Sequence, residues 1–294
     1  MRAAARPRRS VLYLPGSNAR ALNKARSLPA DCLILDLEDA VAPDNKGLAR
    51  SQIAAALADR ASFGGRELVV RVNSLSTDWG ADDVQQIVEH KPDAILLPKA
   101  ESTSEIDAAE KILGKGIDVP VWCMVETPLG VLRAASLAED HRVECLVAGS
   151  SDLSTDLRCN GAWEGRAALL HSLSQTVLAA RAHGKCVLDG VHLDIKDLPG
   201  FEESCVQGRA LGFDGKTLIH PSTIDIANRV FAPSEAELTR ARRVIEAFDA
   251  ATRAGSALAV LDGKLVESLH VRESDRLLAL GDAIAERVAS QEAS

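Results

Sequence analysis

Eight short apolar runs recur along the chain, each followed by a longer stretch of helical character; they fall at 11–14, 32–37, 68–72, 94–97, 121–125, 145–148, 186–188 and 217–219. Several are continuously apolar rather than alternating, the pattern of parallel strands covered on both faces. The intervening stretches carry helix signals. Ser102 and Glu105 form a capping-box pattern ahead of Ile106, Ala109, Ile112 and Leu113, and Ser234 and Glu237 repeat it ahead of Leu238, Ala241, Ile245 and Phe248. Eight such units in about 220 residues fit a (β/α)8 TIM barrel better than a doubly wound sheet. Such barrels take about 250 residues. Residues 10–232 are therefore assigned to one barrel and 233–294 to a C-terminal helical extension. The arginine-rich stretch 1–9 reads as a disordered basic tail.

Composition narrows the function classes. Aromatic residues make up 3% of the chain, so Ala, Val, Leu and Ile must build the core and stacking platforms for single-stranded nucleic acid are scarce. A net charge of -8 disfavours a general polyanion binder. The six cysteines show neither C-x-x-C nor metal spacing, and four lie inside apolar runs. They read as buried thiols of a cytoplasmic protein. No apolar stretch approaches the roughly 18 residues of a membrane span.

A barrel enzyme carries its chemistry at the C-terminal ends of its strands. There the chain places Asp36-Leu37-Glu38-Asp39, Arg71-Val72-Asn73, Pro98-Lys99, Glu126-Thr127, Ser150-Ser151-Asp152, Asp189-Gly190 and His220-Pro221, whereas the opposite ends show mainly turn residues. Glu126 and Asp152 end adjacent runs, so their carboxylates can converge; without His or Cys partners they suit a hard cation such as Mg²⁺. The same residues admit a plain structural reading, in which Glu126 pairs with Arg71 and Asp152 caps the next helix. Arg71, inside an apolar strand, needs a carboxylate or an anionic ligand beside it. Glu38 and Asp39 fit either a turn or a set of groups holding metal-bound waters. Other chemistries lack their motifs. Gly215-Lys216-Thr217 precedes a strand instead of following one, residues 149–153 lack the second glycine of a nucleophile elbow, and no G-x-G-x-x-G follows the first strand.

The segments RSVLYLPGSNARALNKA, LILDLEDAVAP, VVRVNS, ILLPKAES, MVETPLGVL and LGFDGKTLIHPSTI together resemble the citrate lyase beta-subunit-like branch of the HpcH/HpaI aldolase family, over about 9–280. The resemblance implies a TIM barrel that cleaves or forms a carbon–carbon bond in 3-hydroxyacyl-CoA thioesters of the citryl, malyl or citramalyl type. It also implies Mg²⁺ (or Mn²⁺), a coenzyme A moiety on the substrate, and a homotrimer or hexamer. Residue by residue, it puts the metal ligands on Glu126 and Asp152, the substrate arginine on Arg71 and the acidic pair on Glu38 and Asp39. Relatives hold the CoA nucleotide in the region here spanned by Tyr13 to Arg20 with Lys24, but this chain has Gly16-Ser17-Asn18-Ala19-Arg20 where many members have G-N-R-P. Lys99 joins the substrate contacts. Several relatives use a C-terminal Asp, in a segment like M-I-D-x-P, as an acid/base reaching into a neighbouring subunit. The corresponding stretch here carries Glu267, which either does that proton chemistry or is a surface carboxylate.

The expected reaction is a Claisen-type cleavage to an acyl-CoA and a 2-oxo acid, with Arg71 facing the enolate oxygen and Glu267 handling the proton at carbon. Three alternatives stand beside it: an aldolase for free hydroxy-oxo acids, a malyl-CoA thioesterase that needs only a positioned water, and a citrate lyase subunit active only in a complex.

Overall fold

In the computed structural model, which describes residues 6–114, 119–159 and 166–292, strands and helices alternate from the start of the chain. The order begins β1 (Ser10–Pro15), α1 (Ala19–Ala25), β2 (Cys32–Asp36), α2 (Lys46–Ala58), β3 (Glu67–Arg71), α3 (Gly80–Val88), β4 (Ala94–Leu97), α4 (Thr103–Leu113). It continues β5 (Val121–Val125), α5 (Pro128–Glu139), β6 (Val143–Ala148), α6 (Ser150–Asp156), α7 (Leu170–Ala182), β7 (Cys186–Asp189), α8 (Leu198–Leu211), β8 (Gly215–Leu218) and α9 (Ile224–Phe231). All eight strands are parallel, and β1 pairs with both β2 and β8, closing the barrel. The (β/α)8 architecture expected from the apolar runs is what the chain forms.

The continuous apolar runs have a direct structural cause. Alternate residues of each strand point inward and outward, and both sides are buried. Val11, Cys32, Ile34, Val69, Leu96, Trp122, Met124, Val147 and Leu188 fill the barrel. Leu12, Leu33, Leu35, Val70, Ile95, Cys123, Leu146 and Val187 belong to a second core shared with the surrounding helices. Aromatic scarcity is met by one large side chain, Trp122, among small ones such as Cys32, Ala94 and Cys145. Both expected capping boxes form, at Ser102–Glu105 and Ser234–Glu237.

The N-terminal end of the barrel corrects one expectation. Residues 1–5 lie outside the described residues, but Arg8 and Arg9 are buried rather than part of a disordered tail. Arg8 donates to both oxygens of Glu67, Nε to Oε2 at 2.7 Å and NH2 to Oε1 at 2.6 Å, and its guanidinium lies 4.8 Å from the Trp122 ring centre. Arg9 makes a matching fork to Asp31 at 2.8 and 2.9 Å. Two buried carboxylates compensate two buried cations, so this end is a charged closure and more than a set of turns.

The chain divides into two compact units, and the barrel unit is 8–231. The elements beyond it are α10 (Glu235–Arg253), the antiparallel hairpin β9 (Ala259–Leu261) and β10 (Lys264–Val266), and α11 (Ser268–Glu292). Val244, Ala259 and Val266 form the buried centre of this second unit. Among the described residues, no helix is long and apolar enough to cross a membrane.

Candidate active site

A cavity of about 340 Å³ opens at the C-terminal strand ends, lined by Tyr13, Asp36, Asp39, Arg71, Met124, Glu126 and Asp152, with Gly149, Val191, Leu193, Thr217 and Ile219 among the rest. Strand register explains its centre. Asp36 and Arg71 are Cα partners at the last positions of β2 and β3, so both side chains face inward side by side. The guanidinium forks onto Asp36, Nε to Oδ1 and NH2 to Oδ2, both at 2.7 Å. Its NH1 lies 2.7 Å from Glu38 Oε2 and 3.4 Å from Asp39 Oδ2, and Tyr13 lies under it at 5.0 Å. The Asp36 carboxylate also accepts the N–H groups of Glu38 and Ala40, at 2.9 and 3.2 Å. One aspartate thus fixes both the arginine and the loop that carries the acidic pair. Sequence reading had given Asp36 no role, and its signal was the inward parity it shares with Cys32 and Ile34 along β2.

Glu126 follows β5 and is 2% exposed. Its Oε1 accepts the Lys99 N–H at 2.7 Å. Lys99 holds φ at 48°, a left-handed conformation that costs a non-glycine residue roughly 1–2 kcal/mol; its side chain is exposed. Gly149 packs directly on Glu126: a Cβ there would lie 2.2 Å from the Glu126 Cβ and 2.6 Å from its Oε2. Asp152, in the first turn of α6, lines the same cavity half-buried. Arg71 pairs with Asp36 and Glu38 and not with Glu126, which removes the plain ion-pair reading of Glu126.

The charges are out of balance. Asp36, Asp39, Glu126 and Asp152 face the cavity with Arg71 as the one cationic side chain among the lining residues. Burial pushes the Glu126 carboxyl up to about 8, and neighbouring Glu38 and Asp152 push the same way against the Lys99 N–H. Burial likewise raises Glu38 to about 7, with Asp39 and Asp36 adding to it and Arg71 opposing. An excess of hard oxygen donors with no His or Cys in the lining fits a divalent cation held by carboxylates. Among the described residues no cluster of three or more His, Cys, Asp and Glu is placed to hold a metal. Such a cation would therefore take two protein carboxylates and complete its shell from substrate and water.

The remaining residues singled out in the sequence are not among the cavity's lining residues. Arg20 and Lys24 are exposed on α1. Glu267 belongs to the C-terminal unit, half-buried ahead of α11, where its N–H donates to His270 Nδ1 at 3.0 Å. Asp189 ends β7, but its carboxylate accepts from Lys216 Nζ at 2.8 Å and Arg166 NH1 at 2.5 Å in a buried cluster, and it is not among the lining residues.

Barrel, polar strand ends and carboxylate-rich cavity together define a (β/α)8-barrel protein with an acidic cavity at the C-terminal ends of its strands. The HpcH/HpaI aldolase/citrate lyase family model matches residues 9–221, and the chain belongs to that family. It is 47% identical over 281 residues to a (3S)-malyl-CoA thioesterase of Cereibacter sphaeroides, covering 96% of this chain and 97% of that one. It is 35% identical over 271 residues to the citrate lyase subunit beta of Escherichia coli, covering 89% of each. Among solved structures it resembles protein CitE from Mycobacterium tuberculosis in complex with magnesium, acetoacetate and coenzyme A. That match has a TM-score of 0.77 at 30% identity and covers 96% of this chain and 100% of that one.

Proposed function

We propose that the protein hydrolyses the thioester of a malyl-CoA-type 3-hydroxyacyl-CoA, releasing the free hydroxy acid and coenzyme A. The observation that carries this reading is the composition of the barrel cavity: a thioester can be positioned, its oxyanion met and a water activated by groups that line or adjoin it. Similarity to the (3S)-malyl-CoA thioesterase, closer than to the citrate lyase subunit, supports the same choice.

Glu126 and Asp152 would hold Mg²⁺ (or Mn²⁺), which supplies Lewis-acid polarisation of the substrate oxygens when bound. The protein's own residues do the rest. Arg71, clamped by Asp36, presents its remaining N–H capacity to the thioester oxygen and stabilises the oxyanion as charge develops. Glu38, held up to about 7 by burial, is close to neutral pH and so suited to accept a proton from the attacking water. The tetrahedral adduct collapses, the carbon–sulfur bond breaks, and the departing thiolate takes up the proton. Arg20 and Lys24 are proposed to meet the CoA phosphates, Lys99 to contact the substrate, and Tyr13 to pack beside the thioester.

Claisen cleavage remains the second reading, favoured by the family itself. It uses Arg71 at the enolate oxygen but needs an acid at the enolate carbon, the role given to Glu267. We also propose a cytoplasmic homotrimer or hexamer whose C-terminal unit packs on a neighbouring copy; none of its six cysteines is in a disulfide.

The test is to incubate purified protein with (3S)-malyl-CoA and Mg²⁺ or EDTA, following free thiol and glyoxylate separately. Metal-dependent thiol release without glyoxylate is expected. Glyoxylate and acetyl-CoA in equal amounts, without free thiol, would replace hydrolysis by cleavage. Neither product would reject both.

A further inference from the structure

The loop carrying Glu38 and Asp39 is held by a second residue, one that does not line the cavity. Lys46 is the first residue of α2 and is 5% exposed. Its ammonium donates to three oxygens: Leu37 O at 2.6 Å, Glu38 O at 2.8 Å and Asn73 Oδ1 at 2.7 Å. The Trp79 ring stands 5.3 Å away. Asn73 is itself fixed, because its Nδ2 donates to Leu37 O at 2.9 Å and to Asp83 Oδ2 at 2.6 Å. Asp83, fully buried, also forms an ion pair with Arg50, Nε to Oδ1 at 2.8 Å. On the other side of the same peptides, Leu37 N–H donates to Arg71 O at 2.9 Å and Glu38 N–H donates to Asp36 at 2.9 Å.

Stability alone does not explain a lysine here. Its head group is removed from water, it sits at the positive end of a helix, and a long flexible side chain is immobilised. Burial lowers its proton affinity accordingly. What only an ammonium provides is three donors diverging from a single point, whereas a guanidinium offers a planar fork.

We propose that Lys46 is a positioning residue: its ammonium sets the main-chain path at Leu37 and Glu38 and thereby the approach of the Glu38 carboxylate to Arg71. The inference rests on the reading in which Glu38 takes the proton from the attacking water. The side chain of Glu38 leaves a peptide whose N–H is held by Asp36 and whose carbonyl is held by Lys46. Releasing the second hold lets the loop turn and the carboxylate drift from the guanidinium. Displacements of this size cost rate and leave binding largely intact, because substrate contacts lie on other loops.

The test compares wild type with Lys46→Met and Lys46→Arg. In Lys46→Met, kcat on (3S)-malyl-CoA is expected to fall by about tenfold or more with KM within about threefold. The acid limb of the kcat profile should move to higher pH, because a cation near Glu38 has gone while Asp36, Asp39 and Glu126 still face it along with Arg71 and Lys99. Amide hydrogen exchange at Glu38 and Ala40 should quicken. Lys46→Arg is expected to keep the charge without restoring kcat. Wild-type kcat in Lys46→Met, or restoration of kcat by Lys46→Arg, would overturn the proposal; so would an unmoved acid limb accompanied by a kcat loss that merely follows Tm. If Lys46→Met fails to fold, Asn73→Ser removes one of the three acceptors and should shift kcat and exchange in the same direction, and unchanged values there would overturn it equally. Should wild-type protein not act on malyl-CoA at all, the hydrolytic reading fails by itself. The exchange rates at Glu38 and Ala40 then decide whether Lys46 holds the loop.

Discussion

At the scale of single residues, the site is defined by how few substitutions its geometry admits. A methyl group at Gly149 would overlap the Glu126 side chain at 2.2 Å, so Gly149→Ala must displace either that carboxylate or the end of β6. The expected result is a loss of activity of about 100-fold with a drop of roughly 1–3 kcal/mol in stability. An activity assay with a denaturation curve on the same sample checks both, and full activity would show that Glu126 need not stay in place. Acidity gives a second prediction. Glu126 and Glu38 have folded-state values near 8 and 7, above the usual carboxylate range. Between about pH 4.5 and 8 these two carboxyls therefore hold more protons in the folded protein than in the unfolded chain. Their contribution to stability falls as pH rises through that window, against a smaller opposite contribution from His192, whose proton affinity burial lowers. A divalent cation that binds only the folded site reverses the loss by mass action. Metal-free protein should show Tm declining from pH 5.5 to 8, and added Mg²⁺ should raise Tm more at pH 8 than at 5.5. A Tm indifferent to Mg²⁺ at pH 8 would remove the cation from the Glu126–Asp152 site. Asp36 shows where single-residue reading stopped. A strand-end aspartate looks the same whether it caps a loop or clamps an arginine, and here it does both.

At the scale of elements, the strands were legible because burial on both faces forces near-continuous apolar runs, and the bounds read from those runs differ from the observed ones by at most two residues. The C-terminal hairpin was not read. Its strands are three residues long and expose Val260 and Leu265, so neither length nor period signals them. The signal that was available is Asp262-Gly263, both at positive φ in the two-residue turn between β9 and β10. The arginines ahead of β1 were misread for a different reason. Charge density suggests a solvated tail, and only the fold shows that Asp31 and Glu67 wait at the same end of the barrel. That closure supplies the prediction belonging to this scale. Arg8→Ala removes a forked cation from Glu67, a buried carboxylate, and should cost up to about 3–5 kcal/mol. Because the change lies at the strand ends opposite the cavity, kcat measured well below Tm should stay within about twofold. Urea unfolding and steady-state kinetics on one preparation test the pair of claims. A collapse of kcat with unchanged stability would contradict this division of the barrel into a structural end and a reacting end.

At the scale of the whole molecule, the open question is which proton chemistry the chain performs, because the two readings assign it to different compact units. Hydrolysis places the acid/base work on Glu38, beside Arg71 at the barrel cavity. Cleavage places it on Glu267, in the unit that follows Ala232. Glu267 is a glutamate where the family pattern leads one to expect aspartate, and here its N–H is tied to His270. Resemblance alone therefore names the family but not the reaction, since the chain is similar both to a malyl-CoA thioesterase and to a citrate lyase subunit. Glu267→Gln separates them with little steric change. If Glu38 handles the proton of a water, thiol release from (3S)-malyl-CoA should remain within about twofold of wild type. Any accompanying glyoxylate formation should fall by about 100-fold or more, because the enolate carbon has lost its acid. Glu38→Gln should give the mirror image, with thiol release lost. If thiol release instead collapses in Glu267→Gln and survives in Glu38→Gln, the proton chemistry belongs to the second unit, and the thioester is opened by the machinery that cleavage would use.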